Sequence, residues 1–142
     1  MGSAKREQYN KMSDNAFAMT NRLSLDDLLS HLDKLPENKD RRKEARFYPR
    51  NAYSSVYLRL EKLNIIFSAD VIDVNSTCIR VLTESGIPLD LGVRLFIYWR
   101  LSKDDLFTIK AEVQRIEHHK LITAIALSFL EVKKEDDFSH IS

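Results

Sequence analysis

Guanidinium groups are concentrated in one place in this 142-residue chain: Arg41, Arg42 and Arg46, with Arg50 just beyond Pro49. From Lys39 to Arg50 six Lys or Arg stand against Asp40 and Glu44, whereas the whole chain carries a formal net charge of only +1. Arginine grips phosphate bidentately, pairs with the O6 and N7 edge of guanine, and stacks on aromatic or base planes. The segment therefore suits an anion that also presents bases, that is, a nucleotide. Arg42 and Arg46 are four residues apart and share a face in either a helix or an extended chain. Extended, they stand roughly 13 Å apart, far enough to touch separate parts of a dinucleotide. Pro49 disfavours helix at Tyr48 and so favours that option. Basic runs are more often solvated linkers, so the assignment needs support from elsewhere in the chain.

That support comes downstream. RRKEARF (41–47) followed by ADVIDVNSTCIRV (69–81) resembles the two-part signature of PilZ domains, small bacterial β-barrels that bind the second messenger cyclic di-GMP. The family signature is RxxxR and then [D/N]xSxxG on an early barrel strand. Arg42 and Arg46 match the first part, Arg41 is the additional preceding arginine that many members carry, and Asp73 begins the second part. Asn75 stands where the family has Ser, and Cys78 where it has Gly.

The resemblance covers roughly residues 41–132. It implies a six-stranded antiparallel PilZ-type β-barrel with a short N-terminal helix, and a ligand site made by Arg41, Arg42, Arg46, Asp73, Asn75 and Cys78. The arginines would hold the phosphates and guanine edges. Asp73 would accept from the N1 and N2 hydrogens of a guanine, and Asn75 would add a polar contact. A glycine replaced by Cys78 matters if the backbone must take a positive φ or approach the ligand closely. The implied function is a cyclic di-GMP receptor or adaptor that signals to an unidentified protein partner by rearranging its linker, in motility, attachment or exopolysaccharide control. The alternative implied by the departures at Asn75 and Cys78 is a divergent interaction module that binds no nucleotide.

Patterning supplies the elements that would position these residues. At this length one domain is expected, here divided into an N-terminal tail and helix (1–38), the barrel with its arginine-rich linker (39–132) and an acidic tail (133–142). Ser24 reads as an N-cap, with Leu23 placed to staple against Leu28. Leu25, Leu28, Leu29, Leu32 and Leu35 follow helical spacing up to Pro36. From Ser54 the period changes to two. Val56, Leu58 and Leu60 form one run, residues 65–72 and 78–82 two more, Val93 to Leu101 a fourth, Phe107 to Val113 a fifth, and Ile125, Leu127 and Phe129 line the last. Short antiparallel strands without a βαβ rhythm predict a closed barrel, which leaves no edges. The chain after Val132 is expected to fray.

Other chemistries find no footing. His118 and His119 are adjacent and diverge in a strand, so no metal site is expected. No phosphate-binding loop or nucleophile elbow occurs. Asp70 and Asp73 would face opposite sides of a regular strand, so the chain is expected not to be an enzyme. Cys78 alone rules out an internal disulfide, suits a reducing cytoplasm, and reads as a buried, inert thiol. No apolar run is long enough to span a bilayer, and membrane insertion is not expected. The stripe Arg94, Phe96, Tyr98 and Arg100 could stack the bases of a single strand. The simpler expectation is that the N-terminal helix covers it, and with so small a net charge no DNA or RNA partner is expected. The resemblance implies cyclic di-GMP as the one ligand, with no cofactor, and a monomer or homodimer is expected.

Overall fold

A computed structural model describes residues 23–34, 45–84 and 86–135. The expectations for Leu35, Pro36, Arg41 and Arg42 lie outside these described residues.

The alternating pattern becomes a barrel. Helix α1 (23–30) is followed by two very short strands, β1 (Asp33–Lys34) and β2 (Phe47–Tyr48), and by a 3-10 turn at Asn51–Tyr53. Six longer strands come next: β3 (Ser55–Leu60), β4 (Ile66–Val74), β5 (Cys78–Glu84), β6 (Arg94–Arg100), β7 (Leu106–His119) and β8 (Ile122–Glu135). Their order is β4-β3-β6-β7-β8-β5, and β5 pairs back to β4, which closes a six-stranded antiparallel barrel. β1 and β2 form a flap, pairing with each other and hydrogen-bonding to β4 through Phe47 and Val74.

The interior is filled as period-two burial requires. Leu58, Ile79, Leu95, Ile97, Trp99, Phe107, Ile109 and Leu127 are fully buried. Trp99 satisfies its indole by donating Nε1–H to the Tyr53 carbonyl at 2.7 Å, which ties the 3-10 turn to the core. Leu28 and Leu32 of the N-terminal segment join the same core, with Leu25 and Leu29 packed against it. The helix is fixed from outside by charge. His31 Nε2 lies 2.9 Å from Asp105 Oδ2, and Lys134 bridges Asp105 and Asp27 at 2.9 and 3.1 Å. The His31 ring also meets Phe107 edge-on. α1 therefore docks where the β6–β7 turn meets the end of β8.

Several local expectations change. Leu23 and Ser24 are both helical and Leu23 is largely exposed, so Ser24 is not the N-cap and Leu23 staples nothing. The helix ends at residue 30, not at Leu35, because Asp33 and Lys34 are drawn into pairing with Tyr48 and Phe47. β8 runs on to Glu135, since Lys133, Lys134 and Glu135 pair with Thr108, Phe107 and Leu106. Among the described residues, the middle of the β6 stripe is covered by Arg59 of β3 and not by the helix. Arg59 stacks on Phe96 at 4.7 Å from the ring centroid and donates to the Tyr98 hydroxyl, while Asp27 of α1 contacts Lys134 and His31, just after the helix, contacts Asp105 and Phe107.

Candidate functional site

β4 does not run regularly to its end. Val71 pairs with Val81, but Asp73 pairs with Arg80, so one extra residue is accommodated between Val71 and Asp73 as a bulge. A bulge shifts which side each later residue faces. Val71 and Val74 both remain inside, and Asp73 turns to the outer face with its partner Arg80. The expected opposition of Asp70 and Asp73 is thereby corrected. Asp70 pairs with the outward Leu82, so both carboxylates lie on the outside of the barrel.

Asp73 is nonetheless buried, because guanidinium groups cover it. Arg80 is bidentate, with Nε donating to Oδ1 at 2.8 Å and Nη2 donating to Oδ2. Arg46 donates Nη1–H to the same Oδ2 at 3.0 Å. The flap delivers Arg46: Phe47 pairs with Val74 and packs against the core, which holds the preceding residue at the end of β4. The hydrogen bonds to Asp73 hold the Arg80 pKa above its ordinary value, outweighing the opposing effect of burial. Arg80 keeps 45% of its side chain exposed and Arg46 22%. Two guanidinium groups thus converge on one carboxylate oxygen with their remaining N–H donors available on the outer side.

Asn75 and Cys78 take up different work from that expected of a ligand contact. Asn75 Oδ1 accepts from Thr77 N at 2.8 Å, Cys78 N at 2.6 Å and Thr77 Oγ1 at 3.1 Å, while Asn75 N donates to the Cys78 carbonyl. The side chain closes the β4–β5 turn in the manner typical of Asn. What it can still offer a ligand is its Nδ2 amide. Cys78 is half-buried on the outer face, contrary to the expectation of a buried thiol, and its Sγ accepts from Thr77 Oγ1 at 3.6 Å. It does not adopt a positive φ. Side-chain bulk on the outer face, rather than backbone strain, is therefore what separates it from glycine here.

The structure brings Arg46, Asp73, Asn75 and Cys78 to one end of the β4–β5 pair, while Arg41 and Arg42 lie outside the described residues. Sequence reasoning missed Arg80. The available signal was its position two residues beyond Cys78, on the same face of a strand paired to Asp73. Among the described residues no group of three or more potential metal ligands occurs, and no helix is long and apolar enough to cross a membrane.

No protein-family model matches the sequence, and no curated protein matches it either. Solved structures do match. The PilZ domain of YcgR from Escherichia coli with c-di-GMP aligns at 17% identity with a TM-score of 0.53, covering 64% of this chain and 79% of that one. The Bacillus subtilis inhibitor of motility MotI/DgrA aligns at 19% identity and a TM-score of 0.51, and the K. pneumonia MrkH–c-di-GMP complex at 17% and 0.53. Those two alignments cover 70% and 65% of this chain but only 49% and 44% of the other proteins, so the chain spans about half their length. The closed six-stranded barrel, with an arginine carried to the start of the β4–β5 turn, has the PilZ-type fold.

Proposed function

We propose that the chain is a receptor for cyclic di-GMP, with the ligand seated over the outer end of the β4–β5 pair. The observation that supports this most is the meeting of Arg46 with Asp73. They are 27 residues apart in sequence, yet joined by a 3.0 Å hydrogen bond outside the barrel core. A phosphodiester anion would draw on Arg46, Arg42 and Arg41, and a guanine edge would use the Asp73 carboxylate. Both oxygens of Asp73 are already engaged. Admitting a guanine therefore requires one contact to be exchanged, and the single bond from Arg46 yields before the bidentate grip of Arg80. Arg46 would pass from Asp73 to the ligand.

The outcome of binding would be a change in contacts offered to a protein partner, not a chemical reaction. The flap connects the site to the helix, since β1 follows α1 after two residues and β2 follows Arg46 directly. Binding should slow hydrogen exchange at Lys39 to Phe47 and alter it at Leu25 to Leu32, with little change in β6 to β8. This reading assigns the chain to a bacterial cytoplasm and to control of motility, attachment or exopolysaccharide export in biofilms.

Calorimetry with cyclic di-GMP tests the site. Arg46→Ala and Arg42→Ala should each weaken binding by roughly 1.5 to 3 kcal/mol, about tenfold or more. Unchanged affinity in both variants removes the assignment. A second reading, a protein-interaction module without nucleotide, is favoured by one feature: Asn75 spends its acceptor on the turn and Cys78 adds a thiol beside it. The double variant Asn75→Ser, Cys78→Gly distinguishes the two. Tighter binding than the parent supports a detuned receptor, whereas no binding in either protein supports the interaction module.

A further inference from the structure

Arg80 is the one residue of the Asp73 cluster to which the proposed function gives no contact with the ligand. Register puts it directly opposite Asp73 across the β4–β5 pair, and the bulge near the end of β4 turns both side chains to the outer face. Its Nε donates to Oδ1 of Asp73 and its Nη2 to Oδ2. Those two bonds spend two of the five N–H donors of a guanidinium, while 45% of the Arg80 side chain stays exposed. Donors remain for a ligand.

The way the pair is joined decides what it can read. A guanidinium and a carboxylate that meet through two parallel bonds lie in one plane. Nη2 and Oδ2 then each keep one valence on the same flank of the pair: Nη2 its second N–H, and Oδ2 its second lone pair. Arg46 Nη1 donates to that oxygen at 3.0 Å, so the flank can be reached from outside. Once Arg46 has passed to a phosphate, the pair presents a donor and an acceptor side by side. Guanine offers the complement, an O6 acceptor next to the N1–H donor, whereas adenine offers the reverse, an N6 amino donor next to the N1 acceptor. The Nε bond engages Oδ1, whose remaining lone pair points to the opposite flank. The carboxylate therefore cannot take the N1 and N2 hydrogens of one guanine together.

We propose that Arg80 determines the base specificity of the site: its Nη2–H donates to O6 of a guanine whose N1–H is accepted by Asp73 Oδ2. Arg80 is then a ligand contact as well as the support of Asp73. The assignment rests on cyclic di-GMP being the ligand at this end of the barrel. Arg80→Lys keeps the charge but loses the planar fork, so it cannot hold Asp73 and reach O6 at once.

Calorimetry on the full chain with cyclic di-GMP, cyclic di-IMP and cyclic di-AMP tests it. The three share sugars and phosphates; the second lacks only the N2 amino group, and the third reverses donor and acceptor. The parent should bind cyclic di-IMP within about fivefold of cyclic di-GMP, less than the loss of a charge-assisted hydrogen bond would give. Cyclic di-AMP should bind it at least about a hundredfold more weakly, because both polar contacts are left unmade. Arg80→Lys, and likewise Arg80→Gln, should weaken cyclic di-GMP and cyclic di-IMP alike by about fivefold or more and leave cyclic di-AMP as in the parent. Urea midpoints establish that the variants compared are folded. Cyclic di-IMP binding far more weakly than cyclic di-GMP would give the N2 amino group to Asp73 and overturn the proposal. So would an equal loss of all three ligands in the variants, which marks a role in charge or structure alone. A parent that binds cyclic di-GMP, with variants of equal affinity, removes Arg80 and leaves the receptor standing. A parent that binds none of the three removes the receptor and this assignment with it.

Discussion

Two carboxylates in this molecule are each held by more than one side chain, and they are built differently. Asp73 is buried beneath Arg46 and Arg80, is gripped bidentately, and sits at a bulge. Asp105 lies in a turn, is held by His31, Lys134 and Ser102, and remains part-exposed. Planar guanidinium forks make directional pairs with little loss of order, whereas Lys is a strongly hydrated point charge. Near water an ion pair contributes little and is screened by salt. The Asp73 cluster is thus suited to hold a geometry, and the Asp105 cluster to fasten α1 in a way that ionic conditions can loosen.

The largest effect expected from this contrast is at Asp73. Asp73→Ala leaves Arg46 and Arg80 without their shared acceptor and should lower stability by about 1.5 to 3 kcal/mol, read as a lower urea midpoint with an unchanged slope. A midpoint equal to the parent's would show that the cluster is held by solvent as well as by the carboxylate. Next in size is the difference between its two arginines. Arg80→Ala removes two bonds and Arg46→Ala one, so the first should shift the midpoint further, while Arg46→Ala should have the larger effect on cyclic di-GMP affinity. The reverse order in both measurements would contradict Arg46 as the exchanging contact.

Smaller effects are expected at the helix fastening. Lys134→Ala should lower the urea midpoint by less than Asp73→Ala does, and added salt should shrink that difference while leaving the Asp73 effect largely in place.

The pH dependence follows from the same residues. Hydrogen bonds from Ser102, Lys134 and His31 hold the Asp105 carboxyl below the usual carboxylate range. A depressed folded pKa gives stability that is present above the unfolded value and is lost as pH falls below about 4. Lys134 is raised by its hydrogen bonds to Asp105 and Asp27, so its contribution is present below its unfolded pKa and fades in strong alkali. Tm measured across acid pH should therefore fall less steeply below about pH 4 in Asp105→Asn than in the parent. Parallel curves would show that another carboxylate governs the acid limb.

Sequence and structure divide the credit unevenly among the elements. The β3, β5 and β6 runs were legible because each buries one face, and a one-residue slip would expose Leu58, Val81 or Ile97. The helix was legible from its leucines but not in its limits, because Asp33 and Lys34 exchange helical bonds for pairing with a segment more than ten residues away. The end of β8 was hidden for a related reason: Lys133 to Glu135 looks polar and terminal, yet its partners lie in β7.

By itself the sequence determined the β-barrel class and the arginine-rich approach, since side-chain alternation and residue chemistry are local properties, while Asp73 drew notice only through the resemblance to the PilZ signature. Only the tertiary structure decided that a bulge turns Asp73 outward, that Arg80 grips it, and that Asn75 spends its acceptor on the turn. It also decided that Arg59, distant in sequence, caps Phe96. Register between strands and the residue count of a bulge are fixed by pairing across the whole sheet. No short window of sequence contains that information.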